Sequence, residues 1–75
     1  MSKNLIGERV REARYNAKHK ITQANLITRL QLLDINLDSS AICRIETGKR
    51  PVTDKELVAI ASVLNVSVNW LLKID

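Results

Sequence analysis

The sequence has no phenylalanine and only one residue each of histidine, cysteine, proline, tryptophan and tyrosine. With Tyr15 and Trp70 as its only large rings, it offers no platform on which single-stranded bases could stack. One His and one Cys cannot close a four-ligand zinc site. The lone thiol of Cys43 has no partner for an internal disulfide, which points to a reducing compartment. No apolar run approaches the roughly 18 residues of a membrane span. Met1-Ser2-Lys3-Asn4 opens no secretory signal, because no apolar stretch of roughly 7–15 residues follows it. There is no nucleophile-elbow pattern and no glycine-rich phosphate loop, so an enzyme would have almost nothing to work with. These absences leave a small, cytoplasmic, aliphatic-cored domain with no expected cofactor, metal or membrane.

What is present fits that class. The 75 residues carry 12 Lys/Arg against 8 Asp/Glu, a net +4, and suffice for a single domain spanning 1–75. Leu, Ile and Val make up nearly a third of the chain, which rules out a disordered polar segment. A chain this short buries only about 60% of its unfolded surface, so its core is thin. Its charge is uneven: residues 1–50 are strongly basic and residues 51–75 are slightly acidic. One face suited to an anionic partner would account for this, as would a merely solvated surface.

A helix-start signal recurs four times, as an apolar residue, then Thr, Asp or Ser, then three residues, then another apolar one. The instances are Ile21-Thr22 to Leu26, Leu37-Asp38 to Ile42, Val52-Thr53 to Leu57, and Val66-Ser67 to Leu71. The short oxygen-bearing side chain accepts a hydrogen bond from an orphan helical N–H, and the flanking apolar pair forms a hydrophobic staple. Thr53 with Glu56 completes a capping box. The signals predict helices from Thr22 to about Leu33, Asp38 to about Thr47, Thr53 to Leu64, and Ser67 to about Leu72. Ile6, Val10, Ala13 and Ala17 share one face of an earlier helix, from about Asn4 to Ala17. Leu26, Leu30 and Leu33 point inward on the second helix; Leu57, Ile60, Ala61 and Leu64 do so on the fourth. Gly48 and Asn65 suit the left-handed position after a helix. Trp70 is expected in the core among Leu64, Val66 and Leu71. The fold class is all-α, a bundle of five short helices.

On a helical wheel the third helix divides sharply. Ala41, Ile42, Ile45 and Glu46 fall on one side; Ser39, Ser40, Cys43, Arg44 and Thr47 fall on the other. The outer side is small and polar with one long cation, able to approach a surface closely and to hydrogen-bond a guanine edge through Arg44. A Ser-rich helix start followed by an indifferent surface reads the same way. Gln23 at the start of the second helix and Lys49-Arg50 beyond the third surround this face with groups that bind phosphates. Those two cations are equally at home near a helix C-terminus. Glu46, on the inward side, requires a cation; Arg14 is the first candidate and Arg9 the second. Cys43 is read as a small contact residue, with nothing else to support thiol chemistry.

Four stretches together carry a resemblance. They are Ile6-Gly7-Glu8-Arg9-Val10-Arg11-Glu12-Ala13-Arg14, then Thr22-Gln23, then Ile42-Cys43-Arg44-Ile45-Glu46-Thr47-Gly48-Lys49-Arg50, then Val66-Ser67-Val68-Asn69-Trp70-Leu71-Leu72. They resemble the Cro/CI-type, lambda-repressor-like helix-turn-helix regulators of bacteria and their phages, over residues 5–72. The resemblance implies a helix-turn-helix over about 22–47, with the third helix in the major groove. It further implies that Ser39, Ser40 and Arg44 face base edges with Cys43 close by, that Gln23, Thr47, Lys49 and Arg50 sit near phosphates, and that Arg14 pairs with Glu46.

The function expected is a transcriptional regulator, a repressor, bound to double-stranded DNA at the nucleoid as a homodimer. Val68, Leu72 and Ile74 are candidates for the dimer patch. The rival expectation is an antitoxin-like or adaptor module whose partner is another protein. Two departures from the family pattern stand out. The Gln23-to-Glu46 spacing is about five residues longer than usual, with no turn glycine, so that Asn36 is the candidate for the left-handed turn residue. The stretch from Arg14 to Gln23 is about two residues longer, with Lys18-His19-Lys20 as the excess.

Overall fold

Four helices start where an oxygen-bearing side chain can take the place of the missing turn. In the computed structural model, which describes residues 2–74, Thr22 accepts from the N–H of Asn25 at 3.0 Å and Asp38 from that of Ala41 at 2.7 Å. Thr53 accepts from the N–H of Glu56 at 3.2 Å and Ser67 from that of Trp70 at 3.0 Å. These caps open α2 (Gln23–Gln31), α3 (Ser39–Glu46), α4 (Asp54–Leu64) and α5 (Val68–Leu72). Thr53 and Glu56 form the expected capping box, and Thr22 with Asn25 forms a second. The first helix, α1 (Gly7–Asn16), begins later than the apolar periodicity predicts. Asn4 lies ahead of it and its Oδ1 accepts from the N–H groups of Ile6 at 3.0 Å and Gly7 at 2.8 Å.

The five helices enclose one core. Ile6, Val10, Leu26, Leu30, Ile42, Ile45, Ile60 and Leu71 are each at most 2% exposed. α1 packs on α3, α4 and α5, while α2 packs on α3 and α4, so α3 rests on two supports. Truncating any one of the Leu or Ile side chains among them to Ala would cost about 2–5 kcal/mol, a large share of the 5–15 kcal/mol typical of a whole domain. The architecture is the expected all-α bundle of five short helices, and no helix among the described residues is long and apolar enough to cross a membrane.

The link between α2 and α3 corrects two expectations. Helical periodicity stops at Gln31, so Leu33 falls in the turn and is 47% exposed rather than inward. Asp34, not Asn36, takes the left-handed conformation, with φ 62°. Its short polar side chain tolerates that region, and reversing the chain there lets the N–H of Ile35 close on the Leu30 carbonyl at 3.0 Å. Leu37 then re-enters the core. The added length therefore lengthens the turn and does not extend α2. Gly48 (φ 77°) and Asn65 (φ 57°) adopt the left-handed conformation as expected. Leu57 is only half-buried while Ala59 is buried, and Trp70 packs on the core edge without being enclosed.

Candidate nucleic-acid interface

α3 is fixed from its inner side. Ile42 and Ile45 are each 1% exposed, and the side chain of Glu46 is 5% exposed. Glu46 is met by three donors. Arg14 Nε reaches its Oε2 at 2.7 Å and Arg14 Nη2 its Oε1 at 2.9 Å, while Gln23 Nε2 reaches Oε1 at 3.2 Å. The remaining arm of Arg14 donates to the Ile21 carbonyl at 3.0 Å. One buried ion pair thus ties α1, α3 and the start of α2 together. Hydrogen bonding to Glu46 holds the Arg14 pKa above its ordinary value, against the opposing effect of burial. Arg9, the second candidate for Glu46, is engaged elsewhere: its guanidinium lies 4.6 Å from the Trp70 ring centroid and donates to the Trp70 carbonyl at 3.0 Å.

The outer side of α3 is the opposite in character. Ser39, Ser40, Cys43 and Arg44 are exposed, and their side chains make no hydrogen bond or ion pair among the described residues. Thr47 is exposed with its hydroxyl proton donated to the Cys43 carbonyl at 2.9 Å, leaving its oxygen as an acceptor. The structure therefore brings Ser39, Ser40, Cys43, Arg44 and Thr47 onto one open surface.

The expected phosphate residues are placed unequally around that surface. Lys49 is exposed and in no ion pair among the described residues. Arg50 is half-buried, with Nη1 and Nη2 donating to the two Glu56 oxygens at 2.9 and 3.0 Å and Nη1 also to the Pro51 carbonyl at 2.9 Å. Its pKa is raised by that pairing, and the Glu56 carboxyl is correspondingly held below its ordinary range. Gln23 is half-buried and spends one amide proton on Glu46, leaving a second proton and its carbonyl free.

One positioning residue had no sequence signal beyond lying near a helix start. Asn4 Nδ2 donates to the carbonyls of Ile45 at 3.1 Å and Arg50 at 2.8 Å, while its Oδ1 caps α1. A single amide thereby joins the start of α1, the end of α3 and the loop that carries Lys49. Gly7 permits this close approach, since a Cβ there would overlap the Ile45 carbonyl oxygen and lie 2.9 Å from that of Glu46. The proposed dimer residues fare unevenly: Val68 and Leu72 are half-buried against the core, and Ile74 is 63% exposed. No group of three or more His, Cys, Asp or Glu side chains among the described residues could hold a metal ion.

A family model described as helix-turn-helix matches residues 11–71. The HTH-type transcriptional regulator DicA of Escherichia coli (strain K12) is 38% identical over 72 residues, covering 95% of this chain and 48% of DicA. The chain therefore spans about half the length of that curated relative, at 48%. No solved structure matches it. With the fold, the buried Arg14–Glu46 pair and the open face of α3 in view, the chain belongs to the Cro/CI-type helix-turn-helix family.

Proposed function

We propose that this chain is a sequence-specific double-stranded DNA-binding transcriptional regulator, acting as a repressor and as a homodimer on a palindromic site. The observation that carries the reading is the asymmetry of α3: its inner face is pinned by Ile42, Ile45 and the Arg14–Glu46 pair, while Arg44, exposed among small polar residues, has no partner among the described residues. The naming of the relative DicA as a transcriptional regulator supports the same reading. In this mechanism α3 enters the major groove and reads about four or five base pairs. Arg44 meets a base edge, with Ser39, Ser40 and Cys43 small enough to let the helix approach. Gln23, Thr47 and Lys49 contact phosphates and set the register. Arg50 adds to these through the N–H groups that Glu56 leaves free. No catalytic step is assigned to any residue.

Selection of binding sites from a random duplex library, at near-physiological salt, tests this directly. An enriched motif with two-fold symmetry and half-sites about 10 bp apart, or a multiple, is the expected result. Recovery of unselected DNA, or of none, would remove the reading. A second reading, a module that binds a protein partner, is favoured by one observation: a groove between α4 and the α2–α3 turn, where Leu33, Ile35, Val58 and Ala59 are bordered by Asp54, Lys55 and Ser62. Charge reversal at Arg44 separates the two, because it abolishes DNA binding and leaves a partner bound in that groove unaffected.

A further inference from the structure

The loop that leaves α3 is tied down on both sides of Lys49. Just before it, the Gly48 carbonyl accepts the N–H of Lys3 at 2.7 Å; just after it, the Arg50 carbonyl accepts Asn4 Nδ2 at 2.8 Å. The N–H of Lys49 itself closes on the Arg44 carbonyl at 2.8 Å. Among the described residues no other group donates to the Gly48 or Arg50 carbonyls. The backbone here is thus fixed by bonds from outside the loop. The Lys49 side chain, in contrast, is exposed and in no ion pair among the described residues.

The end of α3 does not need these outside bonds. Its Ile45 carbonyl already accepts the Gly48 N–H at 3.1 Å, and Gly48 adopts the left-handed conformation that closes a helix. What residues 3 and 4 add is a set path for Gly48, Lys49 and Arg50. A cation on a loop that must be ordered during binding loses affinity to the entropy of that ordering; a cation whose backbone is already fixed loses less. Asn4 is suited to hold such a path because its amide is anchored at the other end. Its Oδ1 accepts from the N–H groups of Ile6 and Gly7, so the amide cannot turn away from the loop without giving up the cap of α1.

We propose that Asn4 is a positioning residue for DNA binding, holding the backbone on which Lys49 stands so that its ammonium meets the duplex already in place. The inference rests on the DNA-binding reading above, in which Lys49 contacts a phosphate. It adds that the strength of that contact depends on a half-buried amide which is not itself a contact. Lys3 contributes through its backbone N–H, which a side-chain substitution does not remove, so Asn4 is the residue to alter.

The test is a double-mutant cycle between Asn4 and Lys49 in the full chain, read as affinity for a duplex selected as above. Asn4→Ser keeps a neutral capping oxygen ahead of α1 and removes the amide donor. Urea unfolding sets conditions under which every variant is fully folded. There Asn4→Ser is expected to weaken binding about three- to tenfold in the presence of Lys49 and to leave the affinity of Lys49→Ala unchanged. Backbone amide order parameters from NMR relaxation should fall at Lys49 and Arg50 and stay level through α3. Equal losses with and without Lys49 would overturn the inference, because Asn4 would then support α3 as a whole; so would an unaltered affinity in Asn4→Ser while Lys49→Ala weakens binding. If Asn4→Ser does not fold, Asn4→Thr, another capping residue without an amide, takes its place in the same cycle. If the unaltered protein selects no duplex, the DNA-binding reading falls and this inference with it.

Discussion

Arg14 and Glu46 face each other across the α1–α3 contact through two charge-assisted hydrogen bonds of 2.7 and 2.9 Å, with side chains only 6% and 5% exposed. Removing one partner leaves the other buried with its charge uncompensated. Glu46→Ala is therefore expected to cost about 3–5 kcal/mol in urea unfolding, and Arg14→Met/Glu46→Leu to cost less than Glu46→Ala alone. A Glu46→Ala loss below about 1 kcal/mol, the size found for exposed pairs, would show that this pair does not hold α3 in place.

Asn4 is used at both ends of its amide. Asn4→Asp keeps the acceptor that caps α1 and replaces both donor bonds, to Ile45 and Arg50, with a carboxylate facing two carbonyls. A loss of about 1–3 kcal/mol is expected, with the Gly7 amide still protected in native-state hydrogen exchange. Equal stability in the two proteins would mean that the donor bonds contribute nothing.

The two glycines differ in what surrounds them. At Gly7 an added Cβ would run into the backbone carbonyls of Ile45 and Glu46, which cannot yield without moving α3. At Gly48 the cost of a side chain arises from the left-handed φ of 77°, with the side chain of Ser2, rather than backbone, as the nearest neighbour. Thermal unfolding should rank Gly7→Ala below Gly48→Ala, whose own cost is about 1–2 kcal/mol. The reverse order would place the tight α1–α3 approach in error.

Glu56 makes stability depend on acid. Hydrogen bonds from Arg50 foremost, and then from the Thr53 N–H, hold its carboxyl below the ordinary value of 4.5 despite burial. The folded state thus favours the charged form. Its contribution is complete above pH 4.5 and is lost as pH falls through the lower folded value. Denaturation midpoints measured from pH 7 downward should converge between the unaltered protein and Glu56→Gln once the pH passes below that point. A gap that stays constant with pH would overturn the assignment.

Arg44 and Lys49 should separate as reader and positioner. Arg44→Ala is expected to cost about 1–3 kcal/mol on the selected site and to relax preference at one base pair. Lys49→Ala should weaken all duplexes alike and lower the salt slope by about one. Identical behaviour of the two variants would show that the interface is not divided in this way.

Much of the fold was legible because helix starts are local events. Thr22, Asp38, Thr53 and Ser67 each need only an N–H three residues away, and all four cap the helices that their spacing predicts. The division of α3 into two faces was equally legible, since it follows from 100° per residue and from burial of Ile42 and Ile45. Where the reading failed, the deciding contacts were not local. Leu33 continues the apolar period of α2, yet the chain reverses at Asp34 so that Leu37 can reach the core. Asn4 looked like a helical residue, because the carbonyls that it serves lie more than 40 positions further along the chain.

By itself, then, the sequence determined the helices, their caps and the outward side of α3, because periodicity and capping act within a few residues. Only the tertiary structure decided how the polar groups are shared among partners. It committed Arg50 to Glu56, left Arg44 and Lys49 without an ion-pair partner among the described residues, set Arg9 on Trp70, and gathered Arg11 and Lys20 on Tyr15. Which charges pair and which remain for a ligand depends on distances between elements far apart in sequence, and those distances exist only once the core has closed.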